Sequence, residues 1–281
     1  MTKEKTKFTP ALEKATGEIK YNMTNDYMFR ALFQQNTVAL KGLLSSLLHM
    51  PPENILSVEI MNPIVIGETI NDKEFRLDIK AVLNHYQQIN LEMQVVNRHD
   101  WPERSIGYLS RMYNSLQKGD QYINVKPAIH VGILNFSPFE GEPIFYSRNV
   151  LMDMNKHRIY SDKFQVNVLE LKQIELATEE DKKWNLDFWA KLFKARTWEG
   201  LRMIAKDNEY FTEASNTLCD LYADFNVRER CRDREDYEQE QKYLHDTIEQ
   251  LTKMHELDQM EIRQKDAVIE QLRRELEEQK R

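Results

Sequence analysis

Apolar residues recur every three or four positions over residues 21–49, and this spacing predicts a helix. Thr24 or Asn25 can cap its start, and the proline pair that follows stops it. Apolar and polar residues then alternate in several short segments, which predicts strands. The predicted strands cover residues 58–66, 74–83, 89–96, 128–135, 144–148 and 164–171. A second helix is predicted over residues 103–117, so the pattern indicates an α/β or α+β domain over residues 21–175.

The chain beyond residue 175 has a different pattern. The last proline of the whole chain is Pro143 and the last glycine is Gly200, so the chain beyond these residues contains no strong helix breaker. Residues 176–227 predict a helical bundle, and residues 228–281 carry apolar side chains at alternating three- and four-residue steps, as in a coiled coil. This seam contains Leu244, Ile248, Leu251, Ile262, Ile269, Leu272 and Leu276, and it is interrupted by Gln241, His255, Asp258 and Lys265. We expect this helix to join copies of the chain into a homo-oligomer; a lone solvated helix is the alternative.

Composition and charge narrow the class of protein. The polar, lysine-containing residues 1–20 predict a flexible N-terminal arm. Residues 1–175 contain 20 Lys and Arg against 20 Asp and Glu, so the net charge of −7 lies in the last third and neither demands nor excludes a polyanionic partner. Two cysteines cannot form a disulfide framework or a four-ligand zinc site. The chain contains no apolar run of 18 residues and no secretory signal at its start, so we expect a cytoplasmic protein that does not enter a membrane.

Two neighbouring predicted strands each carry a polar face. Asp78 and Lys80 share the polar face of the first strand, and Glu92 and Gln94 share that of the second. A hairpin centred near His85 pairs residues whose numbers sum to about 170, which brings Asp78 opposite Glu92 with Cβ atoms roughly 4.5–5.5 Å apart. Two carboxylates in this position repel each other, and a hard divalent ion such as Mg²⁺ resolves the conflict. The alternative is a solvated sheet surface, since a shift in register would separate the two carboxylates.

Three short motifs occur in order along this part of the chain, namely NDYMF in the first predicted helix, LDI in one strand and LEMQ in the next. Together they resemble the PD-(D/E)XK nuclease superfamily and, more narrowly, its recombination-promoting nuclease and transposase branch. The likeness covers residues 21–171. It implies a restriction-endonuclease-like core, with a mixed central sheet flanked by helices, followed by an all-helical region and a C-terminal coiled coil.

The resemblance also implies roles for individual residues. Asp78 and Glu92 would hold Mg²⁺, with Mn²⁺ as a substitute, and Gln94 would orient the water or the phosphate. Familiar members of the superfamily have lysine where this chain has Gln94. An amide offers hydrogen bonds but no positive charge, so the chain carries a variant of the site.

Further candidates lie near these strands. The resemblance adds Asp26 as an acidic site residue, although helix capping is an equal alternative. Lys80 can reach a phosphate or remain a solvated lysine. Arg104, Tyr108 and Arg111 share one helical face, which suits phosphate contacts; the alternative is tyrosine packing with arginines paired to surface acids. The seven histidines are scattered and show no metal-binding spacing.

The sequence and the resemblance together predict a Mg²⁺-dependent DNA endonuclease. The resemblance implies a role in DNA recombination, mobile elements or defence against foreign DNA. A non-catalytic, nuclease-like scaffold that recruits partners through its coiled coil is the alternative from another class. An RNA nuclease is a third, because the same metal chemistry serves either polymer.

Overall fold

The structure, a computed structural model, describes residues 7–61, 79–114, 116, 118–139 and 141–279. In this part of the chain six strands form one mixed sheet in the order β1-β2-β3-β4-β6-β5. The strands are β1 (Val58–Ile60), β2 (Ile79–Leu83), β3 (Gln87–Gln94), β4 (Ala128–Leu134), β5 (Tyr146–Met152) and β6 (Ile159–Glu170). β3, β4 and β6 are parallel to one another, whereas β1, β2 and β5 pair antiparallel with their neighbours. The mixed sheet with flanking helices confirms the predicted fold class.

Helices precede, interrupt and follow this sheet. Those described are α1 (Pro10–Lys14), α2 (Asp26–Gln35), α3 (Thr37–Leu48), α4 (Trp101–Tyr113), α5 (Glu179–Lys183), α6 (Leu186–Phe193), α7 (Trp198–Ala205), α8 (Glu209–Ala223) and α9 (Phe225–Gln279). The single helix predicted over residues 21–49 is wrong, because Asn36 divides it. Asn36 ends α2 with extended backbone, and its side chain accepts a hydrogen bond from the Ala39 amide to begin α3. Asn25 caps α2 through the Met28 amide, in agreement with the sequence.

The predicted hairpin has the register that the sequence indicates. Ile79 pairs with Leu91 and Lys80 pairs with Asn90, so paired residue numbers sum to 170. Asn84 and His85 form the turn with positive φ angles of 52° and 57°. Of the longer strands predicted here, residues 62–66 and 74–78 lie outside the described residues.

Both faces of the central strands are covered. Alternate apolar residues of β3, including Leu91 and Met93, join the main core with α2, α3 and the helices after the sheet. The opposite face lies under α4, which contacts β4 and β6. Trp101, Ser105 and Leu109, spaced four residues apart, are the buried residues of α4. The polar face of β3 is therefore interior and not a solvated surface.

The chain divides differently from the sequence prediction. Residues 1–235 form one compact unit, and residues 236–281 form another. The helices after the sheet belong to the first unit, since Trp189 and Phe193 of α6 pack against Phe33 of α2. The flexible arm predicted over residues 1–20 is wrong from α1 onward, because Leu12 and Ile19 are buried in the main core.

The second unit is the C-terminal part of α9. The predicted seam residues are all exposed in the isolated chain, for example Ile248 at 63% and Ile262 at 50%. None of the helices in the described residues combines the length and the apolar character that crossing a membrane requires.

Candidate active site

Glu92 lies on β3 beneath α4 and is only 5% exposed. The alternation of a strand turns Glu92 away from the main core, and parallel pairing sets it beside Gly132 of β4. Gly132 is required here because a Cβ atom at this position would overlap the Trp101 ring of α4. The close approach of α4 to β4 places the next turn of the helix over the Glu92 carboxylate.

Arg104 of α4 binds that carboxylate directly. Its Nε and Nη2 atoms both donate to Glu92 Oε1, at 2.9 and 2.6 Å. Burial is the largest single influence and lowers the pKa of the Arg104 guanidinium, but the charge and hydrogen bonds of Glu92, together with Tyr108 and Asp100, outweigh it and raise that pKa. The guanidinium also lies 5.3 Å from the Tyr108 ring centroid. Glu92 thus already has a positively charged neighbour.

His130 of β4 forms the other side of the site and is completely buried. Its ring stacks with Tyr108 at 5.4 Å and with Trp101 at 5.5 Å. His130 Nδ1 lies 3.0 Å from Asn90 Nδ2, and Nε2 lies 3.6 Å from Glu92 Oε2. Burial and the charge of Arg104 lower the pKa of His130 to about 3, so the imidazole is neutral at ordinary pH.

Sequence reasoning missed His130 and Asn90. The pairing of β3 with β4 brings Asn90 beside His130, and a register between strands 40 residues apart cannot be read from local periodicity. The signal that could have found His130 is the composition of β4, AIHVGIL, in which one histidine lies among apolar residues. All seven residues of this strand are buried. A buried polar residue in such a strand requires a partner.

The Glu92 network consists of Glu92, Arg104, Tyr108, His130 and Asn90. The other predicted residues of the hairpin are placed differently with respect to it. Lys80 is directly opposite Asn90 in the β2–β3 ladder and therefore shares the face of Glu92. Gln94 is half-buried, and its Nε2 donates to the Val96 carbonyl at 3.1 Å. Asp78, the second predicted metal ligand, lies outside the described residues.

The remaining candidates contact other elements or solvent. Asp26, the first residue of α2, accepts a hydrogen bond from Arg234 Nε of α9 at 2.5 Å. Its neighbour Asn25 donates to the Cys231 carbonyl, so this end of α2 holds the start of α9. Arg111 is exposed on the last turn of α4. The structure therefore brings Arg104 and Tyr108 to Glu92 and leaves Arg111 facing solvent.

The donor chemistry of the site fits a hard divalent cation only in part. Glu92 supplies a buried carboxylate, which needs a cation nearby to remain charged. No group of three His, Cys, Asp or Glu suited to a metal ion occurs among the residues that the structure describes. Mg²⁺ needs only one or two carboxylates, because water and substrate phosphate complete its coordination. Glu92 with one further carboxylate therefore fits such an ion.

Comparison with known protein families gives a match over most of the chain. The sequence model of a family described as PD-(D/E)XK nuclease family transposase matches residues 23–254, which include every described residue of the Glu92 network. Searches of curated proteins and of solved structures found no significant match.

Proposed function

Because the chain belongs to the PD-(D/E)XK nuclease family transposases, we propose that it is a divalent-metal-dependent endonuclease that hydrolyses phosphodiester bonds in DNA. The observation that best supports the proposal is the buried Glu92 carboxylate, held on β3 between a guanidinium and a neutral imidazole. Burial of an ion pair gains little stability, because the desolvation of both charges offsets their attraction, so a role other than stability is favoured. The hairpin register places Glu92 on the face of β3 that the sequence assigns to it, and the residue range of the family match includes this strand.

We propose Asp78 as the second carboxylate of the site. Asp78 directly precedes Ile79, and Ile79 pairs with Leu91, the neighbour of Glu92. Asp78 and Glu92 would together hold Mg²⁺ or Mn²⁺. When bound, such an ion polarises a phosphate oxygen and lowers the pKa of an attacking water.

The surrounding residues would position the substrate. Gln94 would hydrogen-bond a water or a phosphate oxygen, for which its amide is suited. Lys80 would contact the phosphate backbone from the face that it shares with Glu92, and exposed Arg111 would contact it further along α4. Tyr108 would hold the position of Arg104, which it contacts, by stacking on His130. The contact of Asp26 with Arg234 favours a structural role for Asp26.

Cleavage of supercoiled plasmid DNA by the full chain tests this function. We expect nicking with Mg²⁺, no nicking with a chelator, and a loss of at least about a hundredfold in rate for Glu92→Gln and for Asp78→Asn. Glu103→Gln and Asp162→Asn are matched controls, since both carboxylates are exposed. We expect these two variants to cleave like the wild type.

The outcomes separate the alternatives. Equal cleavage by wild type and both site variants would contradict the proposed mechanism. Cleavage of RNA but not DNA, tested with single- and double-stranded substrates, would show that the substrate is RNA and would contradict the proposed DNA substrate. No cleavage of any substrate by a folded wild-type protein would favour the non-catalytic scaffold.

We also propose that the chain assembles into a homo-oligomer through α9. The exposed seam of the second unit supports this, because its apolar residues keep one heptad register from Leu244 to Leu276, although polar residues occupy three of its positions. A second copy of the same helix supplies the matching seam.

A further inference from the structure

The contact between Arg104 and Glu92 places a positive charge where a metal ligand is proposed. Both donated hydrogen bonds reach the same oxygen, Oε1. The Glu92 side chain is 7% exposed, whereas the Arg104 side chain is 28% exposed. The arginine is therefore the partner that can move toward solvent, and the carboxylate is the fixed one.

Resting on the proposed function, we propose that Arg104 is the resident counter-ion of Glu92 in the metal-free protein. Arg104 leaves the carboxylate when a divalent cation binds there, and its guanidinium then contacts a phosphate of the bound nucleic acid. One residue would thus serve two anions in succession.

Electrostatics supports this exchange. Removal of one partner from a buried ion pair is strongly destabilising, so Arg104 stabilises the buried Glu92 carboxylate in the metal-free protein. A guanidinium and a divalent cation beside the same carboxylate would repel each other, and this repulsion favours the departure of the arginine. A planar guanidinium binds phosphate as well as carboxylate. Arg104 therefore loses one anionic partner and gains another of similar strength.

The surroundings of Arg104 allow it to change partner while remaining near the site. Its guanidinium lies over the Tyr108 ring, and that ring is fixed by stacking on buried His130. The negative charge of Asp100, at the start of α4, also stabilises the charged guanidinium. The side chain has a second favourable contact that does not depend on Glu92.

The exchange makes two binding events cooperative. Without nucleic acid, a cation at Glu92 must displace Arg104 at the expense of its two hydrogen bonds. With nucleic acid present, the displaced guanidinium finds a phosphate, so each ligand raises the affinity for the other by the same factor.

Calorimetric titration of the full chain with Ca²⁺ at pH 8, without nucleic acid, tests the exchange. We expect Arg104→Gln to bind Ca²⁺ about tenfold or more tightly than the wild type, because the competitor is removed. Arg158→Gln, which removes an exposed guanidinium from the turn between β5 and β6, makes the same change in net charge and should bind like the wild type. Adding Glu92→Gln to Arg104→Gln should abolish the gain.

A second titration includes a saturating short DNA duplex. We expect the duplex to raise the Ca²⁺ affinity of the wild type more than that of Arg104→Gln. The difference in Ca²⁺ affinity between the two proteins should therefore become smaller. An unchanged difference would contradict the delivery of Arg104 to phosphate.

Thermal unfolding shows whether each variant is folded and gives a second measure of Ca²⁺ binding. Arg104→Gln leaves Glu92 without its guanidinium, so its melting temperature should fall without metal and rise more steeply with Ca²⁺ than that of the wild type. Arg104→Lys, which keeps the charge but cannot donate two fixed hydrogen bonds, should lie between them.

The failure of this inference differs from the failure of the proposed function. Equal Ca²⁺ affinities for wild type and Arg104→Gln, both dependent on Glu92, would overturn the exchange and leave the nuclease proposal intact. Absence of Glu92-dependent Ca²⁺ binding in both proteins would overturn both.

Discussion

Gly132 decides how closely α4 can approach the sheet. Trp101 occupies the space where any other residue at position 132 would place its Cβ atom. The same indole stacks with His130, so one ring fixes both the helix and the imidazole beside Glu92. A single glycine on β4 therefore positions Arg104, three residues after Trp101, at the carboxylate.

Substitution of this glycine tests that dependence. We expect Gly132→Ala to lower the free energy of unfolding by about 1–3 kcal/mol, because the added methyl group overlaps a buried ring. Gly107→Ala on α4 is the matched control: its added Cβ meets no atom within 4 Å, and alanine favours a helix over glycine by about 0.5–1 kcal/mol. Urea denaturation measures both. A Gly132→Ala protein as stable as Gly107→Ala would contradict the close packing of α4 on β4.

For single residues, the sequence predicted which face of the sheet a side chain lies on better than it predicted which residue that side chain contacts. Strict alternation put Glu92 and Gln94 on the face opposite Leu91, and the structure agrees. The partner of Glu92 could not be predicted in the same way. Arg104 was expected to meet phosphate, and its contact with Glu92 depends on how α4 lies across the sheet.

For helices and strands, the sequence pattern predicted the structure best where an element contacts its neighbour in the chain. The β2–β3 hairpin has the register expected for a turn centred near His85, whereas period-two alternation alone left a shifted register open. The break at Asn36 was missed because apolar spacing continues through it, and only its capping hydrogen bond marks the new helix. His130 was missed because its contacts come from a distant strand and from α4.

Helix α9 has its own testable consequence. Charged substitutions at two seam positions, Ile262→Asp with Ile269→Asp, should convert the oligomer to a monomer, because buried aspartates cannot be solvated in a coiled-coil seam. Asp246→Ala with Glu270→Ala, which removes charges from exposed positions outside that seam, should leave assembly unchanged. Sedimentation velocity distinguishes these outcomes. A monomeric wild type, or an oligomer that survives the double aspartate substitution, would contradict assembly through α9.

At the scale of the whole molecule, the nuclease-like sheet and the helices that follow it share one core. The sequence placed a boundary near residue 175, where composition changes, but the buried aromatic contacts of α6 with α2 cross that boundary. The structure divides the chain at residue 235 instead. Arg234, the partner of Asp26, lies immediately before this division. The family match extends across it to residue 254.

The proposed mechanism depends on one divalent cation bound by both Glu92 and Asp78. Anomalous diffraction from crystals of the full chain, grown with Mn²⁺ and a short DNA duplex, can locate this ion. We expect one Mn²⁺ peak within coordination distance of both carboxylates, with Arg104 turned from Glu92 to a phosphate. A crystal in which Arg104 remains on Glu92, with no Mn²⁺ at either carboxylate, would contradict the proposed mechanism.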